Sequence, residues 1–125
     1  MISLFLVMLG GAIGSAARLL AGRLMTHWLG SGYPWGTLTV NLVGGLLMGL
    51  LIGTLARASM PGENLRLFAA IGVLGGFTTF SSFSLDVVAM IERGALTPAL
   101  VYVLASTIGS IVALFAGLSV VRALA

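Results

Sequence analysis

The chain has 125 residues, 59% hydrophobic and 7% charged, with six arginines, no lysine, three acids and a formal net charge of +3. A mean hydropathy of +1.19 excludes a water-soluble domain of this size, which has no use for so much apolar surface. Cysteine is absent, which excludes a disulfide framework and a thiolate metal site, and the surplus arginines are too scattered for a nucleic-acid surface.

Four apolar runs, residues 2–24, 35–56, 65–91 and 96–121, each reach the ~20 residues a helix needs to cross a bilayer. The fold class is therefore an all-α integral membrane protein, one domain of four transmembrane helices over residues 1–125. The first run has a rival reading as a signal peptide, since "SAA" precedes Arg18. No basic stretch stands before it, however, and further spans follow. Gly10 and Gly14 form a GxxxG pair that lets another backbone approach. Arg18, deep in this span, either lines an aqueous entrance or caps the span's end.

Trp28, Tyr33 and Trp35 cluster between the first and second spans as an aromatic belt does. In the second span Gly45, Gly49 and Gly53 recur at i, i+4, i+8 and predict a helix-to-helix seam. Asn41 lies about six residues, or ~9 Å, inside the boundary and shares a face with Thr37 one turn earlier. An amide in hydrocarbon must find partners: either it bonds a neighbouring helix, or it faces a permeating or bound species.

The third span carries "GGFTTFSSFS", in which five of the seven residues from Thr78 to Ser84 bear hydroxyls. Gly72, Gly75 and Gly76 precede them, a concentration of poor helix formers at the middle of a span. Two readings follow. The helix breaks there and frees carbonyls that survive at such depth only when buried, lining water or holding an ion; or it continues, with the hydroxyls bonding back to i−4 carbonyls. Phe77, Phe80 and Phe83 recur every three residues among the hydroxyls, either as packing or as rings whose positive edges meet a small anion. Asp86, further along, either lies near the aqueous mouth or pairs with an arginine.

The fourth span places Tyr102, Ser106 and Ser110 on one face at i, i+4, i+8, with Thr107 beside them, and a polar stripe inside a span points into an assembly. Gly109 and Gly117 again favour close packing. Arginine counts on the two sides of the four spans nearly balance, three against two or three, so the positive-inside rule fixes no orientation. Four thin helices do not enclose a polar path alone. An antiparallel, dual-topology homodimer is the natural assembly; the alternative is uniform insertion biased by something subtler. In an antiparallel dimer two broken third helices would meet and aim several carbonyl oxygens at one point, a cation site made of backbone.

With "GGAIGSAAR", "GTLTVNLVGG", "GGFTTFSSFS" and the hydroxyl stripe together, the sequence closely resembles the Fluc/CrcB family of fluoride channels along essentially its whole length. The resemblance implies an antiparallel homodimer with two fluoride pores, in a bacterial-type inner (plasma) membrane. It implies a structural Na⁺ held at the dimer centre by the backbone carbonyls of Gly75 and Thr78 in the broken third helix. It further implies that the ring edges of Phe80 and Phe83 face fluoride and that Asn41 is a donor at the pore. Ser106 and Ser110, with Thr37, Thr79 and Tyr102, would complete the polar track. Two departures stand out: Ser82 occupies a position where relatives often have threonine, and Asp86 one where glutamate is common.

Passive fluoride conduction by several weak donor sites is the expected function. One rival is a small dual-topology multidrug exporter, which needs a membrane-embedded carboxylate in the first span, and residues 1–25 contain none. Another is a non-conducting membrane assembly subunit in which Asn41 and the serines only join helices. An enzyme is not expected: the single histidine, His27, lies in a boundary region without a nearby nucleophile or acid.

Overall fold

A computed structural model describes residues 1–58 and 62–124. Among them there is no strand. The helices are α1 (Ile2–Leu29), α2 (Trp35–Ala58), α3 (Glu63–Leu65), a π-helical stretch Arg66–Leu74, α4 (Gly75–Phe77), α5 (Ser81–Glu92) and α6 (Leu96–Ala123). Four units are long and apolar enough to cross a membrane: α1, α2, the composite third span Glu63–Glu92, and α6.

Boundaries follow local chemistry. Nothing in the sequence breaks α1 at Arg23, so it runs on to Leu29 and stops where Gly30 takes φ 82 and its N–H bonds the Thr26 carbonyl at 2.9 Å. Helix α5 ends in a Schellman turn: Gly94 adopts φ 79, its N–H reaches the Ile91 carbonyl, and the Ala95 N–H reaches Met90. Pro98 sits in the first turn of α6, where a missing N–H costs no helical bond. The connection between the second and third spans falls partly on residues 59–61, outside the described residues; on either side of these the chain is helical as far as Ala58 and from Glu63.

The helices pair as α2 along α6 and α1 along the π-helical stretch and α4, with α5 turning to α6. The third span thus changes neighbours midway. Both long seams are glycine seams. A Cβ on Gly10 would stand 3.0 Å from the Gly72 Cα, and one on Gly76 2.7 Å from the Gly11 carbonyl oxygen. On the other seam, a Cβ on Gly45 would meet the Ser110 carbonyl oxygen at 2.7 Å. Backbones at this separation gain dispersion contacts that side chains would otherwise hold apart. Phe83, Met90, Ala99 and Tyr102 form a buried cluster, with Tyr33, Leu38 and Val87 packed on it, while Phe5, Met8, Leu20, Leu85 and Phe115 face outward. Tyr33 donates from its hydroxyl to the Pro98 carbonyl at 3.2 Å, tying the α1–α2 connection to the start of α6; burial raises its pKa above the usual phenol value.

Candidate functional site

The third span is interrupted at its middle. Helix α4 ends where Thr78 turns extended, φ −85 and ψ 161, and α5 begins at Ser81. Of the two readings left open by the hydroxyl cluster, the break is the one adopted. Hydroxyl back-bonding also occurs, but at the edges of the break: Thr78 Oγ1 donates to the Leu74 carbonyl at 2.9 Å and Ser84 Oγ to the Phe80 carbonyl at 2.9 Å.

A break at this depth leaves amides and carbonyls that lipid cannot satisfy. Side chains take up part of the load. Asn41 brackets Thr79 from both sides: its Nδ2 donates to the Thr79 carbonyl at 3.0 Å, and its Oδ1 accepts the Thr79 N–H at 2.8 Å. Thr79 Oγ1 accepts the Ser82 N–H at 3.1 Å, capping the start of α5 as a threonine does three residues ahead of an N–H. Arg18 donates from Nε to the Gly76 carbonyl at 3.0 Å. Among the described residues, no backbone bond outside the helices closes onto the carbonyls of Gly75 or Thr78. Free backbone carbonyls at an interrupted helix are the donor set that suits Na⁺.

A groove of about 570 Å³ opens beside the break. Its walls bring together Asn41, Gly75, Thr78, Thr79, Phe80 and Phe83 from one side, and Ser106 and Ser110 from α6. Phe80 is 74% exposed and Phe83 7%; their ring centroids are 5.5 Å apart at 44°. Ser106 Oγ is buried and, among the described residues, has no hydrogen-bond partner, which leaves an uncommitted donor on the groove wall. Buried hydroxyls seldom stay unpaired without a reason.

Thr37 and Arg18 lie elsewhere. They line a second cavity of about 690 Å³ at the α1–α2 connection, with Arg23, His27, Tyr33 and Asp86. Tyr102 links the two cavities: its ring is fully buried against Phe83, centroids 5.1 Å apart, and its hydroxyl donates to Asp86 Oδ2 at 2.9 Å. The acid therefore lines the second cavity, and among the described residues its partner is a tyrosine rather than an arginine. Arg18 both lines this cavity and caps a carbonyl of the neighbouring span. Removing the guanidinium leaves the Gly76 oxygen unpaired, and Arg18→Ala is expected to destabilise the protein by about 2 kcal/mol, read as a lower denaturation midpoint in micelles.

Sequence reasoning missed three links in this site: the Arg18–Gly76 bond, the Asp86–Tyr102 bond and the cap supplied by Thr79. The first two join residues 58 and 16 positions apart, and their signal is confined to the need of a deep polar group for some partner. The third was legible, since threonine three residues ahead of a helical N–H is a known cap.

The sequence pattern of the family described as "CrcB-like protein, Camphor Resistance (CrcB)" matches residues 5–118. A protein of Sphingopyxis alaskensis named "Fluoride-specific ion channel FluC" is 53% identical over 122 residues, covering 98% of this chain and 97% of that protein. Proteins of the same name from Rhodospirillum centenum, 53% identical over 90% of each chain, and Agrobacterium fabrum, 53% identical over 98% of each, are similar to the same extent.

Proposed function

We infer what the protein does from one premise: the chain belongs to the CrcB family. It is a multi-pass bacterial membrane protein and a fluoride channel, not an enzyme, passing F⁻ down its electrochemical gradient and so relieving a cell of fluoride. The observation that carries this reading to particular residues is the groove beside the break, where the unpaired hydroxyl of Ser106 shares a wall with Phe80, Phe83 and Ser110.

Fluoride is small, strongly hydrated and accepts hydrogen bonds without donating any. A path that selects it must replace lost water with donors and admit little else. Ser106 and Ser110 offer hydroxyls. Asn41 has a second Nδ2 hydrogen beyond the one given to Thr79, and Phe80 and Phe83 offer positive ring edges. None is a fixed cation, so each holds the anion weakly enough to release it to the next. Tyr102 and Thr37 continue the polar track to the mouth, where Arg18 and Arg23 supply the positive potential that gathers anions.

A single groove open on one side does not enclose an ion. Two copies inserted in opposite directions, as the balanced arginines favour, place the open faces together and make two pores. The carbonyls of Gly75 and Thr78 from both copies would then hold Na⁺ at the centre. When bound, the ion supplies the positive charge that offsets those converging dipoles.

Purified protein in liposomes loaded with fluoride tests the function. Rapid efflux with no proton gradient is the expected result; efflux that requires such a gradient indicates an exporter, and none at all a purely structural subunit.

A further inference from the structure

In an unbroken helix the Thr79 N–H would bond the Gly75 carbonyl and the Ser82 N–H the Thr78 carbonyl, each four residues back. Here both donors are taken elsewhere, by Asn41 Oδ1 at 2.8 Å and by Thr79 Oγ1 at 3.1 Å. The two carbonyls deprived of their donors are the pair assigned above to Na⁺. Between them, the Gly76 carbonyl is quenched instead, by Arg18 Nε at 3.0 Å.

We propose that Asn41 and Thr79 are positioning residues that create the cation site by diversion: each withdraws the one N–H that would close a helical bond onto a coordinating oxygen. The inference rests on the sodium reading of the preceding section and adds to it a cause. Glycines weaken the helix at this point, but a weak helix still closes its bonds when the donors have nowhere better to go. In hydrocarbon an N–H left without a partner costs several kcal/mol, so the open state needs a competing acceptor for each one. Asn41, projecting from α2, supplies the first. Thr79 supplies the second from within the break. Arg18 then narrows the set of free oxygens by capping Gly76, which keeps a third carbonyl from competing.

The proposal gives Asn41 two tasks at one position. Its oxygen keeps Gly75 open to the cation. Its amide nitrogen fixes the Thr79 carbonyl, one residue before the Phe80 ring, and retains a hydrogen for the anion. Cation site and anion path are therefore fastened by the same side chain.

Thermal unfolding of the purified assembly, compared in NaCl and in N-methylglucamine chloride, tests this without reference to flux, because an ion that binds the native state raises its melting temperature. The unaltered protein and Phe80→Ile are expected to show a sodium-dependent rise. Thr79→Ser, which keeps the diverting oxygen, retains it. Thr79→Val and Asn41→Leu, which lose theirs, need at least tenfold more sodium for the same rise. A full rise at unchanged sodium concentration in both Thr79→Val and Asn41→Leu overturns the proposal. No rise in the unaltered protein removes the sodium reading itself, and this inference with it. Should Asn41→Leu fail to assemble, Asn41→Asp decides, since it keeps an oxygen facing the Thr79 N–H: a retained rise supports diversion and a lost one refutes it.

Discussion

Phe83→Ile and Phe80→Ile are each expected to reduce fluoride efflux from liposomes at least a hundredfold, with the protein still assembled on size exclusion. Isoleucine is apolar and not far from phenylalanine in bulk, and swaps of that kind within a core usually cost less than about 1.5 kcal/mol of stability. What it lacks is a quadrupole. Phe83 is 7% exposed, set between Phe80 and Tyr102 with centroid distances of 5.5 and 5.1 Å. Both ring planes are inclined to it, at 44° and 50°, so the three rings do not form a closed stack. Phe80 is 74% exposed in a single chain, stands between Thr78 and Thr79 on one side and Ser81 and Ser82 on the other, and lines the groove. A hundredfold loss corresponds to about 2.7 kcal/mol of barrier, within what several edge contacts to a dehydrated anion supply. Flux that survives both substitutions would remove the rings from the path.

Gly14→Val is expected to abolish the folded assembly. A Cβ at Gly14 would overlap the Val73 carbonyl and come within 2.9 Å of the Phe77 nitrogen. These are backbone atoms of the third span, which cannot rotate aside as a side chain does. Overpacking typically costs 1–3 kcal/mol, and a clash against main chain lies at or above about 3 kcal/mol. The displaced segment also carries the break, so the loss extends to the site. Gly11→Ala is the control: its Cβ meets nothing within 4 Å, and stability is expected to change by less than about 0.5 kcal/mol. Detergent-solubilised yield and a single size-exclusion peak check both. A well-assembled Gly14→Val would mean that this seam is looser than its geometry implies.

Much of the fold was legible because a bilayer permits few architectures. Twenty apolar residues become a helix, and small residues at i, i+4 become a seam, as Gly10 with Gly14 and Gly45 with Gly49 do here. The break was legible only as one of two readings: Gly72, Gly75 and Gly76 weaken the helix, but hydroxyls that bond back to i−4 carbonyls can also sustain it, and the choice depends on partners in other spans. The stripe Tyr102, Ser106 and Ser110 announced a polar face, of which Tyr102 and Ser106 are buried.

Pairings between spans were not legible. They depend on how each helix is rotated about its axis, which the packing of all four decides together. Asn41 had to have a partner, but nothing local said that both ends of its amide would close on one residue of another span. Arg18 looked like either an entrance or a cap, and it serves a cavity wall and the Gly76 carbonyl at once. The π-helical winding of Arg66–Leu74 left no mark in the pattern of apolar residues, since every residue from Leu67 to Leu74 is apolar or small.

The change of neighbours in the third span has a bearing on synthesis. Its front half lies against α1, already made when that half leaves the ribosome, and docks on arrival. The rear half lies against α6, the last span to leave the ribosome. A chain whose third span has emerged while α6 is still within the ribosome therefore holds a paired front and an orphaned rear, and the last helix to emerge is the one that completes the wall.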